Sequence, residues 1–426
     1  MFCRPWRLLK IIMCLSYVIE YGLTYFKQKK SQGGLEDRNK KRSSQHKRNK
    51  NIIIFKNEDT GTSTEDGDEI FFINIDINII IPNYFSSSLS SVHIPRCYSS
   101  SPVKTLMESQ RILKSLGKNI RRLPNLAQTC YMNSTLQALL TLSPFIEEVS
   151  RQETIWRSHY SSHLTRGFVD LRVCRLSNKI KKKSILVDIK RTVARFNAEF
   201  ADDNQKDAHE FLSCVLDMLR LMSSDLQRLA KTMGLRYTCP VTEHILFKML
   251  NMRTCKGCGI QFGREEDHIN LLLVPVGSVT QCLKEYLKEH EVSYCCDCGA
   301  EISSQQRLFL TLPNVLILQL KRFRFTETFD LKKVKSPIIL SRELEVNPVS
   351  SSSEQMRYSL VSIISHLGST AHAGHYVCDG AYRDTSVGTT DCWLTYNDKK
   401  VSERTGASVC QQRAKTAYLL FYEKQL

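Results

Sequence analysis

The chain has 426 residues, enough for one large or two medium domains with a true core. Hydrophobic residues make up 42% and charged residues 24%, the balance of a soluble globular protein, which by itself selects no function. The net charge of +17 is uneven: about +10 of it falls before Leu123, so it does not mark the remainder as a basic nucleic-acid-binding domain.

Residues 1–122 read as a poorly ordered basic region. Leu8 to Phe26 is apolar but is cut by Lys10 and Glu20. The uncharged run Ile11–Ile19 is too short to span a bilayer, which takes about 20 residues. With Arg4, Arg7 and Lys10 in front it could be the core of a signal peptide, but no small-residue cleavage site follows. Lys27 to Lys50 is basic and rich in Gln, Asn and Ser, which suits disorder or a nuclear-import signal. Ile70–Ile81 is β-prone and has no obvious partner strand. A misplaced gene start would also produce this composition.

From Leu123 the pattern is that of a folded domain. Met132, Leu136, Leu139 and Leu140 mark a helical face over Thr129–Leu142, ended by Ser143-Pro144. Thr129 is expected to cap that helix, which puts Cys130 in its first turn. There the dipole and the unpaired backbone N–H groups favour thiolate and can hold an oxyanion. Asn125 can add an amide donor to that hole. For a lone cysteine, packing alone is the plain alternative. Ala208, Phe211, Leu212, Val215, Leu216 and Leu219 mark a second amphipathic helix.

After Tyr237 the pattern turns to short β-like runs. Two cysteine pairs, Cys255/Cys258 and Cys295/Cys298, each flanked by glycine, offer four thiolates for one structural, tetrahedral zinc. Cys296 is read as the extra cysteine, outside the ligand set, and unliganded thiols are the plain alternative. Such tight pairs among 16 cysteines suit metal binding in a reducing compartment better than disulfides. Val315–Leu320, Tyr358–Ser365, Tyr376–Asp379, Trp393–Tyr396 and Ala417–Tyr422 are strand candidates, and Ser350–Ser353 reads as a linker.

His375 stands at the start of one such strand, far downstream of Cys130, and Asn397-Asp398 follows another. An early cysteine with a distant histidine and Asn/Asp is the papain-like arrangement for nucleophilic catalysis. His366 and His372 are rival bases that spacing alone does not eliminate.

Six blocks carry a family resemblance. Asn125 through Ser134 with Leu136-Gln137 resembles the cysteine box of the ubiquitin-specific proteases. Gln205 through Leu212, Leu320-Lys321-Arg322-Phe323, Tyr358 to Tyr376, Trp393 through Asp398 and Ala417 through Tyr422 resemble further blocks in the family's order. The resemblance implies an α+β papain-like cysteine protease fold: a helical thumb (123–233), zinc-bearing β fingers (234–310) and a β palm (311–426). It implies Cys130 as nucleophile, His375 as base, Asn397 as third member, Asp398 as supporting or substitute orienter and Asn125 in the oxyanion hole. Asp207 and Glu210 would face the arginine-rich tail of ubiquitin. The implied reaction is thiol-dependent hydrolysis after ubiquitin's terminal glycine, with no cofactor for catalysis. The implied partners are ubiquitin and ubiquitinated proteins, in cytoplasm or nucleus, without nucleic acid or membrane. The chain departs from the family pattern at Arg122, Ala127, Gln128 and Lys206, where glycine, glycine, asparagine and Gln or Asn are usual. An impaired, ubiquitin-binding protein on the same fold is the alternative those departures raise. If the loop needs positive φ at Ala127, the added Cβ would strain the backbone beside the nucleophile.

Overall fold

The structure is a computed structural model that describes residues 122–173, 179–327, 331–349, 355–368, 370, 373–382 and 391–425. The readings made above for residues 1–121, for His372 and for Ser350–Ser353 fall outside the described residues.

A helical layer comes first: α1 (Cys130–Thr141), α2 (Ser143–Arg151), α3 (Glu153–Arg157), α4 (His163–Val173), α5 (Lys179–Phe196), α6 (Ala208–Leu221) and α7 (Ser223–Thr232). Ser143-Pro144 does end α1, yet the proline also occupies the first turn of α2, where its missing N–H is no loss. α1 is buried nearly all round: Met132, Leu136 and Leu139 are inaccessible, and the polar Asn133, Ser134 and Gln137 are buried as well. A helix buried on every side is a central element, and α1 packs against both α6 and the palm sheet.

A short helix α8 (Pro240–His244) leads into the fingers, an antiparallel sheet in the order β2-β1-β5-β4. Its strands are β1 (Phe247–Cys255), β2 (Gln261–His268), β4 (His290–Ser293) and β5 (Ile302–Phe309). The expected finger segment 234–310 does not all belong there. Between β2 and β4 the chain returns to the palm as β3 (Leu271–Leu273) and α9 (Val279–Leu287), because Leu271, Leu273, Val279, Cys282 and Leu283 need the palm core to be buried.

The palm is an eight-stranded sheet, β13-β12-β11-β10-β14-β6-β3, with β9 (Glu343–Val346) also on β10. Its further strands are β6 (Val315–Leu320), β10 (Met356–Leu367), β11 (His375–Ala381), β12 (Trp393–Asn397), β13 (Lys400–Arg404) and β14 (Ala417–Lys424). A two-stranded ribbon of β7 (Phe323–Phe325) and β8 (Leu331–Lys333) lies apart from it, and α10 (Gly406–Arg413) precedes β14. The central strands read as near-continuous apolar runs because both faces are covered. On β14, Leu419 and Phe421 face the helical layer while Leu420 and Tyr422 face the second core with α9 and α10. β6 splits likewise, Ile317 to one side and Leu316 and Leu318 to the other. No helix among the described residues is long and apolar enough to cross a membrane.

Candidate active site

Cys130 is the first residue of α1 and is buried. Thr129 stands at the N-cap, but its side chain caps no helical N–H, contrary to expectation. Its hydroxyl instead accepts from Leu126 N–H (3.0 Å) and donates to Asn125 Oδ1 (3.2 Å), which also accepts from Thr129 N–H (2.9 Å). The loop is thus tied to itself, and the first-turn N–H groups of α1 remain for an incoming oxyanion.

His375 opens β11, the strand against which α1 packs. Asn397 Oδ1 lies 2.8 Å from its Nε2, which leaves Nδ1 for the thiol. His375 is raised to about 9, chiefly by its hydrogen bond to Cys130, against desolvation, with help from Asn397 and from the negative charge of Cys130 and Asp398. Cys130, His375 and Asn397 are thus linked in one hydrogen-bonded array, the order a nucleophile, a base and its orienter would take.

Asp398 Oδ2 is 3.9 Å from the same His375 nitrogen, too far for a hydrogen bond. Its carboxylate accepts from Asn125 Nδ2 (3.0 Å) and Asn133 Nδ2 (2.7 Å), and its carbonyl accepts from Leu123 N–H (3.3 Å). Asp398 therefore ties the nucleophile loop and helix to the palm. One amide proton of Asn125 is committed to Asp398, and only the other is left for an oxyanion.

The rival base His366 is engaged elsewhere, with Lys333. It is buried and pushed down to about 4 by desolvation and by the charges of Lys333 and His375. Lys333 Nζ donates to His366 Nδ1 (3.0 Å), His366 O (2.6 Å) and Gly368 O (3.1 Å).

Asp207 does not present itself to a cationic tail. It caps α6 through His209 N–H (2.7 Å) and Glu210 N–H (3.2 Å) and accepts the hydroxyls of Tyr376 (3.0 Å) and Tyr418 (3.0 and 3.1 Å). A carboxylate with about four lone-pair sites is filled by such a set. Glu210, in contrast, is exposed. Tyr376 and Tyr418 lay inside recognised blocks but gave no sign of this use. Gln205 also went without a role: its Nε2 donates to Gly374 O (2.8 Å), and Gly374 N–H donates to its Oε1 (3.1 Å).

The expectation at Ala127 is overturned. The left-handed residue in the loop is Gln128, with φ +46°, and Ala127 is not left-handed. Asparagine, usual at position 128, accepts that region more readily than glutamine.

In the fingers the cysteine cluster differs from the expected one by a residue. The sulfurs of Cys255, Cys258, Cys296 and Cys298 lie within 4.8 Å of one another. Cys295 is not among them. Tyr294 N–H bonds Glu301 O, Cys296 N–H bonds Ala300 O and Gly299 N–H bonds Cys296 O, a tight turn beyond the ends of β4 and β5. This turn brings Cys296 and Cys298 together with Cys255 and Cys258 and leaves the exposed Cys295 outside the group. Cys255 and Cys298 are 3.6 Å apart and Cys258 and Cys296 3.7 Å. Those are too long for disulfides and close to the edge, about 3.8 Å, of a tetrahedron with zinc–sulfur bonds of about 2.3 Å. A Cβ at Gly257 would meet Ala300 Cβ at 2.6 Å, so the two arms of the cluster approach closely only with glycine there. The donor set fits a zinc ion.

The family model described as ubiquitin carboxyl-terminal hydrolase matches residues 121–422. Ubiquitin carboxyl-terminal hydrolase 37 of Homo sapiens is 30% identical over 250 residues, covering 52% of this chain and 25% of that protein. Ubiquitin carboxyl-terminal hydrolase 42 of Homo sapiens is 30% identical over 340 residues, covering 75% and 24%. The chain thus spans about a quarter of the length of the curated relatives it matches. Among solved structures, the SAGA Ubp8/Sgf11/Sus1/Sgf73 DUB module bound to ubiquitin aldehyde aligns with TM-score 0.58 and 22% identity, over 72% of this chain and 69% of that one. The Ubp8-Sgf11-Sgf73-Sus1 SAGA DUB module aligns with TM-score 0.59 and 21% identity, over 77% and 76%. At such identity the likeness carries the fold, the papain-like arrangement of thumb, palm and fingers.

Proposed function

The chain belongs to the ubiquitin carboxyl-terminal hydrolase family, and from that premise we propose that it is a thiol-dependent deubiquitinase, cleaving the peptide or isopeptide bond after the C-terminal glycine of ubiquitin. The observation that carries this reading is the Cys130–His375–Asn397 array at a helix N-terminus. The Cys130 thiolate attacks the scissile carbonyl, and the first-turn N–H groups of α1, with Asn125, receive the oxyanion. His375 protonates the departing amine. It then takes a proton from water, which releases the acyl group from Cys130. These steps use side chains, the backbone N–H groups of α1 and water. A similar DUB module is bound to ubiquitin aldehyde, which supports ubiquitin as the substrate and ubiquitinated proteins as partners. Glu210, exposed in the first turn of α6, would meet the basic tail of ubiquitin. Zinc on Cys255, Cys258, Cys296 and Cys298 would be structural, since protein thiolates fill all four positions. Cytoplasm or nucleus, where thiols stay reduced, suits both the nucleophile and the cluster.

A ubiquitin probe ending in an electrophile tests the reading. Labelling mapped to Cys130 and abolished by Cys130→Ala is the expected result. A protein that binds ubiquitin but stays unlabelled would be the impaired ubiquitin binder instead.

A further inference from the structure

The strand that carries the base is held from the thumb on both sides of His375. Gln205 bonds both polar groups of the Gly374 peptide backbone, and two residues on, Asp207 takes the hydroxyl of Tyr376 at 3.0 Å. Thumb residues 205 and 207 thus grip palm residues 374 and 376, with His375 between.

The two grips differ in kind. Asp207 holds the tip of a side chain, whereas Gln205 holds main chain, as a neighbouring strand would. Its own end is braced: Asp207 is fixed as the cap of α6, and Asp202 accepts from Lys206 Nζ (3.0 Å) and Asn204 N–H (3.0 Å) in the same loop. At the palm end Gly374 lies directly on β10, where a Cβ would meet His366 Nε2 at 2.2 Å and Leu367 O at 2.4 Å. The turn between β10 and β11 is anchored at its leading end by Lys333 on His366 and Gly368. Gln205 anchors its trailing end.

Cys130 belongs to the thumb and His375 to the palm, so the spacing of the catalytic pair is a thumb–palm distance. We propose that Gln205 is a positioning residue for the reaction: its amide, paired with the Gly374 backbone, sets where His375 stands relative to Cys130. The inference deepens the hydrolase reading and rests on it.

The test uses Gln205→Ala and Gln205→Glu in the full chain. The second keeps an acceptor for Gly374 N–H and sets an oxygen against Gly374 O. Three quantities are read: kcat and KM on a ubiquitin C-terminal amide, the pH profile of Cys130 alkylation by iodoacetamide mapped by mass, and the melting temperature. Both variants should lose about ten-fold in kcat with KM within about two-fold. Their alkylation profiles should move toward that of His375→Ala, at a melting temperature within about 1 °C of wild type. Unchanged kcat, or a raised KM with kcat kept, would overturn the proposal, the latter by making Gln205 a substrate contact. A melting temperature that falls while the alkylation profile stays put would overturn it too, by making Gln205 a stability residue. Alkylation does not involve ubiquitin. A wild-type protein with a His375-dependent profile but no hydrolysis therefore refutes the hydrolase reading alone, and the displaced profiles still decide on Gln205.

Discussion

Asn397 Oδ1 approaches His375 Nε2 to 2.8 Å. The neighbouring Asp398 carboxylate reaches the same nitrogen only at 3.9 Å and spends its oxygens on Asn125 and Asn133. On the proposed mechanism the two residues divide the work: Asn397 would fix the tautomer and direction of the imidazole, while Asp398 joins the loop and helix of Cys130 to the palm. Asn397→Ala should reduce kcat by about ten- to hundred-fold. Asp398→Asn keeps an acceptor for both asparagines and should cost less. Steady-state kinetics on a ubiquitin amide ranks them, and the reverse order would reassign the third member of the triad.

The hydrogen bond to Cys130 and, after it, Asn397 raise His375 from its ordinary 6.5 to about 9. On the proposed mechanism the departing amine receives the proton of His375, so kcat/KM should decline on the alkaline side with an apparent pKa close to 9. Removing the Asn397 hydrogen bond should move that limb to lower pH. The same shift fixes the sign for stability. A histidine whose folded pKa is raised contributes fully below about 6.5 and loses its contribution as pH rises through about 9. His375→Ala should thus narrow the difference in stability between pH 6 and pH 9.5. An alkaline limb near 7 in the wild type would contradict the account.

Much of this was legible in the sequence where one element decides the outcome. Val315–Leu320 is a strand with the expected bounds, since an apolar run of that length can only be buried on both faces. Cys130 stands in the first helical turn, where the N-cap position of Thr129 put it, although the Thr129 side chain caps no helical N–H. What stayed hidden depends on contacts between distant segments. Nothing local tells that Asp207 turns inward to two tyrosines from the C-terminal half, or that Gln205 finds Gly374 169 residues away. The cluster cysteine was missed for a reason of another kind. C-x-x-C spacing presumes a knuckle, and the second arm is a tight turn that brings Cys296, not Cys295, to the other three sulfurs.

The membership of this cluster makes a direct prediction about metal. The purified protein should carry about one zinc per chain. Cys296→Ser should lose it, together with stability of the fingers, while Cys295→Ser should retain it. Metal content by mass spectrometry separates the two. Loss of zinc from Cys295→Ser alone would restore the paired reading.

The buried pair Asp379–Arg413 offers a test of what holds the base-bearing strand. Asp379 on β11 is wholly inaccessible and accepts from Arg413 Nε (2.7 Å) and Nη2 (3.3 Å), with the Thr395 hydroxyl as a further donor. Arg413→Ala leaves a buried carboxylate with one neutral partner and should lower stability by about 3–5 kcal/mol in denaturant unfolding. Asp379→Asn with Arg413→Met removes both charges and should cost clearly less. Equal losses would mean that the guanidinium acts by packing and not by charge.

The loop before the nucleophile has one strained position, and its identity sets opposite signs for neighbouring substitutions. Gln128 has φ +46°, where a Cβ clashes with the following carbonyl, and Ala127 has no such penalty. The turn is closed by Asn125 Oδ1 on Thr129 N–H and by Thr129 Oγ1 on Leu126 N–H, with no need of the Gln128 side chain. Gln128→Gly should therefore relieve strain and raise stability by about 0.5–1 kcal/mol, net of the greater entropy glycine gives the unfolded chain. Gln128→Asn should give a smaller gain in the same direction. Ala127→Gly has only the unfolded-state entropy to act through and should lower stability by about 0.4–1 kcal/mol. Because the loop bonds that aim the first-turn N–H groups persist in all three, turnover should stay within about two-fold of wild type, well short of the ~100-fold that follows loss of an oxyanion donor. Thermal melts and single-turnover hydrolysis on the three variants check the pattern. A stabilising Ala127→Gly beside a destabilising Gln128→Gly would place the left-handed residue one position earlier and put the strain back against the substrate path.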